Sequence, residues 1–133
     1  MSAGKILLVE DEISLRRLFA RQLDMHYRVH PVESGESALR ILDGGEKFDL
    51  TITDVNLGKG RMSGVQFLRQ AKQKLGDAGV IILSARADNL TKEVAQEFNA
   101  ELLSKPFRRE ELINIIEKLG LKPRVLESVQ SER

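Results

Sequence analysis

In the stretch Thr-Ile-Thr-Asp-Val-Asn-Leu, residues 51–57, a short strand-like run ends at one carboxylate, Asp54. Residues 49–53 have the apolar and β-branched character of a strand inside a parallel sheet. Three other strand-like runs also end at groups that can bind or react. These are residues 5–9 before Glu10 and Asp11, residues 80–83 before Ser84, and residues 101–104 before Lys105. If the strands are parallel, these groups converge at the sheet edge where open α/β folds bind ligands.

Segments with helical periodicity separate the strand-like runs. Apolar side chains recur at helical spacing over residues 12–24, 36–43, 64–75, 88–98 and 109–119. In the first segment, the basic side chains are expected to lie away from the apolar face; they are Arg16, Arg17 and Arg21. Each segment therefore predicts an amphipathic helix that packs on a sheet.

The alternation of strands and helices predicts an α/β fold. Five strands separated by five helices form a doubly wound five-stranded parallel sheet, with right-handed crossovers. The run at residues 27–32 contains Pro31, which belongs at a sheet edge because proline lacks an N–H for a central ladder. A flavodoxin-like strand order, 2-1-3-4-5, satisfies this condition and puts the first and third strands side by side.

Length and composition fit one domain. The chain has 133 residues, of which 41% are hydrophobic and 31% charged, with a formal net charge of +1 and no cysteine. This charge balance gives no electrostatic case for direct nucleic-acid binding. The N-terminal apolar run, residues 6–9, is too short for a signal peptide or a membrane span, so we expect a cytoplasmic protein with no membrane association.

The helical pattern fades near the end of the chain. We expect residues 1–119 to form the domain and residues 120–133 to form a C-terminal tail or linker. The spacing of Leu121, Val125 and Val129 leaves open a weak amphipathic stripe in the tail.

Three carboxylates, those of Glu10, Asp11 and Asp54, are expected to lie close together. Their mutual repulsion and burial would raise their pKa values, and a hard divalent cation resolves that conflict. Mg²⁺ prefers oxygen ligands and joins carboxylates to a substrate phosphate. We expect Asp11 and Asp54 as direct ligands, the backbone carbonyl of Asn56 as a third ligand, and Glu10 acting through water. The alternative for the acidic run alone is a turn that caps the following helix.

Asp54 is expected to accept a phosphoryl group, because a carboxylate can act as a nucleophile and form an aspartyl phosphate. Such a transfer depends on positioning and on neutralising the phosphoryl oxygens. Lys105 can supply a compact positive charge, and Ser84 can supply a hydroxyl hydrogen bond. Each residue alone is weak evidence, since strand ends often carry turn and cap residues of these types.

Five short motifs occur in order within residues 4–119. They are Ile-Leu-Leu-Val-Glu-Asp-Glu (6–12), Thr-Asp-Val-Asn-Leu (53–57), Met-Ser-Gly (62–64), Leu-Ser-Ala (83–85) and Lys-Pro-Phe (105–107). In this order and spacing they closely resemble the receiver domain of two-component response regulators, of the chemotaxis-regulator-like type.

The resemblance implies a phosphorylation-dependent signalling switch. Asp54 would take a phosphoryl group from the phosphohistidine of a sensor histidine kinase or phosphotransfer protein, with Mg²⁺ held by the acidic pair Glu10 and Asp11. Ser84 and Lys105 would contact the phosphoryl group and relay its presence. Catalysis would be limited to the domain's own phosphorylation and dephosphorylation, so we do not expect a metabolic enzyme. The resemblance leaves the output protein or domain unidentified, and it leaves open a phosphorylation-dependent homodimer.

Several positions depart from the family pattern or could tune it. Family members commonly have Phe or Tyr three residues before the lysine, where this chain has Leu102. We therefore expect output through movement of residues 84–90 and of helix 88–98, not through rotation of a ring. The loop over residues 57–62 holds about two extra residues and suggests a lid of different shape. Arg86 and Asn56 either flank the route of the hydrolytic water or are ordinary loop residues.

Three alternatives remain open from the sequence. The chain could be a receiver-fold docking module that does not turn over phosphate, or a receiver segment of a hybrid histidine kinase. A flavin or nucleotide module of the same fold is disfavoured, since the acidic loop at Glu10–Glu12 would repel phosphate in the absence of a metal.

Overall fold

A computed structural model describes residues 3–57, 62–86 and 88–124. Within these ranges, five strands alternate with five helices. The strands are β1 (Lys5–Val9), β2 (Arg28–Val32), β3 (Leu50–Asp54), β4 (Gly79–Ser84) and β5 (Glu101–Ser104). The helices are α1 (Ile13–Asp24), α2 (Gly35–Asp43), α3 (Gly64–Leu75), α4 (Asn89–Glu97) and α5 (Arg109–Lys118). Four residues of the predicted lid loop, 58–61, and residue 87 lie outside the described residues.

The described strands form one sheet in the order β2-β1-β3-β4-β5, with parallel pairing throughout. The predicted fold class and strand order are therefore confirmed. Pro31 lies in β2, the edge strand, opposite Leu8. β3 extends through Asp54, one residue further than expected, because Asp54 pairs in register with Leu83 of β4.

Helices cover both faces of the sheet. Successive β1 side chains alternate between two buried clusters, with Leu7 in one and Ile6 and Leu8 in the other. The first cluster packs under α2, α3 and α4, and the second packs under α1 and α5. Burial on both faces explains why residues 6–9 of β1 and 80–83 of β4 are continuous apolar runs.

Helix starts are fixed by short side chains that accept hydrogen bonds from the first turn. Ser34 caps α2, Ser63 forms a capping box with Gln66 at α3, and Asp88 caps α4. Gly76 follows α3 with a φ of 58°, a conformation that glycine adopts without strain. These local signals explain why the predicted and observed helix bounds agree within one residue.

The chain continues past α5 along the amino-terminal edge of the sheet. The N–H of Gly4 donates to the Lys122 carbonyl oxygen at 2.7 Å, and the N–H of Arg124 donates to the His26 carbonyl oxygen at 2.5 Å. Leu121 packs against the cluster under α1 and α5. The boundary after residue 119 stays a prediction, and the rest of the predicted tail, with Val125 and Val129, lies outside the described residues.

Gly64 gives a test of how tightly α3 packs against the strand that carries Asp54. A Cβ at Gly64 would overlap the Asp54 carbonyl oxygen and lie 3.0 Å from the Val55 Cα. Because the obstacle is backbone, Gly64→Ala should lower the free energy of unfolding by about 2–3 kcal/mol in urea denaturation.

The matched control for this substitution is Gly44→Ala. Gly44 has a φ of −74°, and its nearest obstacles are carbonyl oxygens at 3.4 and 3.5 Å. It should change the free energy of unfolding by less than about 1 kcal/mol. Equal effects of the two substitutions would contradict the close approach of α3 to β3.

Candidate functional site

Four strand ends meet at one edge because their registers coincide. Val9 lies opposite Thr53, Asp54 lies opposite Leu83, and Ser84 lies opposite Ser104. The residues that follow β1 and β5 therefore arrive beside the end of β3. The convergence expected from parallel strands is present in the structure.

Lys105 joins the two buried carboxylates of the site. Its Nζ donates to Asp54 Oδ2 and lies 3.4 Å from Glu10 Oε1. Glu10 is 1% exposed and Asp54 is 8% exposed. One ammonium thus offsets the charge of two carboxylates that water reaches poorly. The peptide bond from Lys105 to Pro106, whose isomer the sequence left open, is cis.

The Asp54 carboxylate is held at both oxygens. Oδ2 accepts from Lys105, and Oδ1 accepts from the backbone N–H of Asn56 at 2.8 Å. These contacts fix the side chain at the carboxyl end of β3. A fixed carboxylate beside an ammonium is suited to attack an electrophilic phosphorus, because little reorganisation is needed.

The Glu10 carboxylate shares the ammonium of Lys105 with Asp54. Its Oε2 accepts from the Glu12 N–H at 3.2 Å. Burial nevertheless raises the pKa of the Glu10 carboxyl above its ordinary value, against the lowering effects of Lys105 and of the Glu12 N–H. Burial also acts to lower the pKa of Lys105, but the hydrogen bond and charge of Asp54, then the charge of Glu10, raise it overall. Lys105 is therefore cationic throughout the physiological range.

The donor set fits a hard divalent cation. Two carboxylates with one shared ammonium leave an excess of negative charge, and carboxylate oxygens are the ligands that Mg²⁺ prefers. Among the described residues, no group of three or more Asp, Glu or His side chains forms a ready metal cluster. This is compatible with a cation that keeps several water ligands.

Ser84 is buried near the site, but its hydroxyl is turned into its own loop. The hydroxyl donates to the Arg86 carbonyl oxygen, and it accepts from the Arg86 N–H at 3.0 Å. The structure therefore brings Ser84 to the correct strand end without bringing its hydroxyl to Asp54. A role in binding a phosphoryl group requires rotation of this side chain and stays a prediction.

The remaining predicted residues surround this centre. Asp11 follows Glu10 and is half-buried, whereas Asn56 and Arg86 are exposed. Leu102 is half-buried and packs against the cluster under α2, α3 and α4. Their expected roles as ligand, modulators and switch position stay predictions. Glu12 precedes α1 as its N-cap residue, and its side chain forms no capping hydrogen bond.

Sequence reasoning missed Arg16. Expected on the polar side of α1, it is half-buried, and its Nη1 donates to the Glu10 carbonyl oxygen at 3.0 Å and to the Asp11 carbonyl oxygen at 3.4 Å. The available signal was its spacing, because Arg16 precedes the buried residues Phe19 and Leu23 by three and seven positions.

Residues 6–117 match the family model of the response regulator receiver domain. The chain belongs to this family. The predicted family is therefore confirmed, and the receiver is a signalling domain of two-component systems. In the described residues, we find no helix with the length and apolar character needed to span a bilayer.

Known proteins that resemble this receiver include regulators of different lengths. The transcriptional regulatory protein CpxR of Klebsiella pneumoniae is 36% identical over 83% of this chain and 46% of its own length. The response regulator receiver protein CpdR of Brucella abortus is 32% identical over 86% of this chain and 95% of its own. The receiver thus spans about half the length of CpxR and nearly all of CpdR. The chemotaxis protein CheY4 of Vibrio cholerae superposes with a TM-score of 0.78 at 26% identity, covering 89% of this chain and 99% of CheY4.

The raised pKa of Glu10 predicts a pH dependence of stability. The folded receiver binds this proton more tightly than the unfolded chain does, whose ordinary value is 4.5. The contribution of Glu10 to the free energy of unfolding should therefore fall as the pH rises from about 4.5 through the folded pKa. Urea denaturation without Mg²⁺, from about pH 4 to pH 7, should show the difference between wild type and Glu10→Gln falling across this window.

The control for this measurement is Glu93→Gln, which alters an exposed carboxylate on α4. Its difference from wild type should stay flat over the same pH range. If the free energy of unfolding of wild type rose with pH relative to that of Glu10→Gln, this would contradict the effect of burial on Glu10.

Proposed function

We propose that this receiver is a phosphorylation-dependent signalling switch in which Asp54 accepts a phosphoryl group from the phosphohistidine of a sensor histidine kinase or phosphotransfer protein. The observation that carries the proposal is the Asp54 carboxylate, buried at a strand end between the Lys105 ammonium and the Asn56 N–H. Family membership supports the same chemistry.

The transfer exchanges one bond to phosphorus for another. A carboxylate oxygen of Asp54 forms a bond to phosphorus while the bond from the donor imidazole nitrogen breaks, and the imidazole keeps that electron pair. Lys105 remains beside the reacting oxygen as a cation and offsets the charge of the phosphoryl oxygens. Asp54 and Lys105 are both present and in contact, which favours phosphate turnover over a pure docking role.

Mg²⁺ is the cofactor that we assign to this site. Asp11 and Asp54 would hold it directly, with the backbone carbonyl of Asn56, and Glu10 would act through water. Such an ion supplies neutralisation of the phosphoryl oxygens in transfer chemistry. The geometry supports this assignment, because the two buried carboxylates of Glu10 and Asp54 carry more negative charge than the one ammonium of Lys105 can offset.

Ser84 is proposed to connect the phosphoryl group to the output surface. Its hydroxyl would leave Arg86, donate to a phosphoryl oxygen and draw the loop after β4 towards the site. That loop leads directly into α4, so a shift of the loop would change the surface formed by α4, β5 and α5. Leu102 in β5 has no ring to rotate, and we therefore place the output in the loop and in α4. Arg86 and Asn56 are proposed to tune the phosphate lifetime, because both are exposed beside the site.

The remaining parts of the proposal follow the sequence analysis. We propose that the receiver occupies residues 1–119, that it acts in the cytoplasm and that it catalyses only reactions of its own phosphoryl group. The output protein or domain and any phosphorylation-dependent homodimer are left to experiment.

The acceptor is tested by incubation with acetyl phosphate and Mg²⁺, followed by intact-mass measurement. Wild type should gain the mass of one phosphoryl group, and Asp54→Asn should gain none, because an amide is not a competent nucleophile. Omission of Mg²⁺ should slow wild-type labelling strongly.

The matched control for the acceptor is Asp77→Asn, the same chemical change at an exposed turn residue. It should be labelled as wild type is. Phosphoryl mass on Asp54→Asn, or its absence from wild type, would refute Asp54 as the acceptor.

The relay is tested by amide chemical shifts with and without beryllium fluoride, a mimic of the phosphoryl group. Wild type should show shifts at Ser84–Arg86 and along α4 as well as near Asp54. Ser84→Ala should confine the shifts to the surroundings of Asp54, whereas Ser104→Ala, at the exposed position paired with Ser84, should behave as wild type. Wild-type shifts that stop at Asp54 would rule out the relay.

A further inference from the structure

The guanidinium of Arg16 binds the backbone of the acidic loop between β1 and α1. The Nη1 of Arg16 binds the carbonyl oxygens of Glu10 at 3.0 Å and of Asp11 at 3.4 Å. These two residues carry the carboxylates that the proposed function places at the metal. Arg16 thus contacts the backbone of both residues at once and is well placed to set the direction of both side chains.

Arg16 is distinguished from the other arginines of its helix by this contact. It is half-buried, whereas Arg17 and Arg21 are exposed. In the part of the chain that the structure describes, Arg16 forms no ion pair with a carboxylate within 4 Å. Its interaction is therefore with peptide oxygens, and it does not compete directly for the carboxylates that would bind a cation.

Other contacts also hold this loop, among them the Glu12 N–H and Lys105 on the Glu10 carboxylate. The Glu10 N–H donates to the Val32 carbonyl oxygen at 3.1 Å, which fixes the start of the loop to β2. The Glu12 side chain makes no capping bond to α1. A guanidinium is permanently charged, and one of its nitrogens, Nη1, donates to both carbonyl oxygens.

We propose that Arg16 is a positioning residue for cation binding, an inference that rests on the proposed function. By binding the carbonyl oxygens of Glu10 and Asp11, it holds the loop that carries both carboxylates. Groups that orient metal ligands typically change metal affinity about 10- to 100-fold when they are removed.

The direction of the change in Mg²⁺ affinity distinguishes a positioning role of Arg16 from an effect of its charge alone. Loss of a positive charge near a cation site strengthens cation binding by electrostatics alone. Loss of loop positioning weakens it. A weaker affinity for Mg²⁺ in a variant that lacks the Arg16 charge is therefore evidence for positioning.

The experiment measures the dissociation constant for Mg²⁺ of the unphosphorylated receiver, from amide shifts at Asp54 and Asn56. Arg16→Gln should raise the constant about tenfold or more. Arg17→Gln removes the same charge from the exposed neighbour and should change the constant less than about twofold, because exposed charges are screened. Arg16→Lys keeps the charge, but its Nζ reaches one bond less far from the backbone than Nη1, and it should also raise the constant.

A second readout separates positioning from a general loss of stability. The phosphorylation rate of Arg16→Gln with acetyl phosphate should approach the wild-type rate at saturating Mg²⁺, and fall below it at low Mg²⁺. A purely structural role would lower the midpoint of thermal unfolding without changing the dissociation constant of the folded receiver, and that result would overturn the proposal.

The outcomes distinguish a failure of the proposed role of Arg16 from a failure of the proposed function. If wild type binds Mg²⁺ and either Arg16 variant binds it as tightly, the role of Arg16 is refuted and the proposed function stands. If wild type itself shows no Mg²⁺ binding near Asp54, the assigned cofactor and the role of Arg16 fall together. Should Arg16→Gln fail to fold, Arg16→Lys alone decides.

Discussion

The contact of one ammonium with two buried carboxylates is the interaction on which the site depends. Lys105 bridges Asp54 and Glu10, which lie 51 and 95 positions away along the chain. A buried carboxylate without a partner costs several kcal/mol, so these side chains can be buried together only if β5 delivers Lys105 to the same edge as β1 and β3. The parallel register of the sheet is therefore a condition for the chemistry as well as for the fold.

Charge balance explains why the site can hold further ions. One ammonium faces two carboxylates, so Lys105 offsets only part of the charge of Glu10 and Asp54. A phosphoryl group brings a charge of about −1.5 to −2, which would add to the excess of negative charge. A site of this kind is favourable for a phosphoryl group only if a cation accompanies it. The same imbalance gives a reason for Arg16, whose charge lies against the backbone of the acidic loop and does not occupy the carboxylate oxygens.

Much of the fold could be predicted because its determinants are local. Strands buried on both faces appear as apolar runs, and the caps Ser34, Ser63 and Asp88 mark where helices begin. The strand ends then predict which groups meet. What could not be predicted depends on tertiary packing at the level of single side chains. The turn of the Ser84 hydroxyl towards Arg86 is a choice between rotamers, which no sequence pattern records.

The packing of residues 120–124 is a second feature of this kind. Leu121 lies where a side chain at residue 4 would stand, since a Cβ on Gly4 would be 2.7 Å from its Cδ2. In the sequence, Gly4 before the first strand is compatible with another side chain packing closely against the backbone there. The sequence does not show that this side chain is Leu121. The helical pattern fades before these residues, so the sequence did not show the backbone hydrogen bonds that join Lys122 to Gly4 and Arg124 to His26.

The route from the site to the output surface is constrained by how α4 is attached. At the C-terminal end of α4, Glu97 accepts two hydrogen bonds from Arg69 of α3, at 3.0 and 3.3 Å. An exposed ion pair of this kind holds the helix only weakly. At the N-terminal end of α4, the capping residue Asp88 lies two positions after Arg86, whose backbone is bound by the Ser84 hydroxyl. The buried side chains of Val94 and Ala95 hold the middle of α4 to the sheet. In the relay that we propose, a displacement of the loop would therefore reach the N-terminal turn of α4 first. Because Leu102 in β5 has no ring, α4 would be the element that carries the change outward.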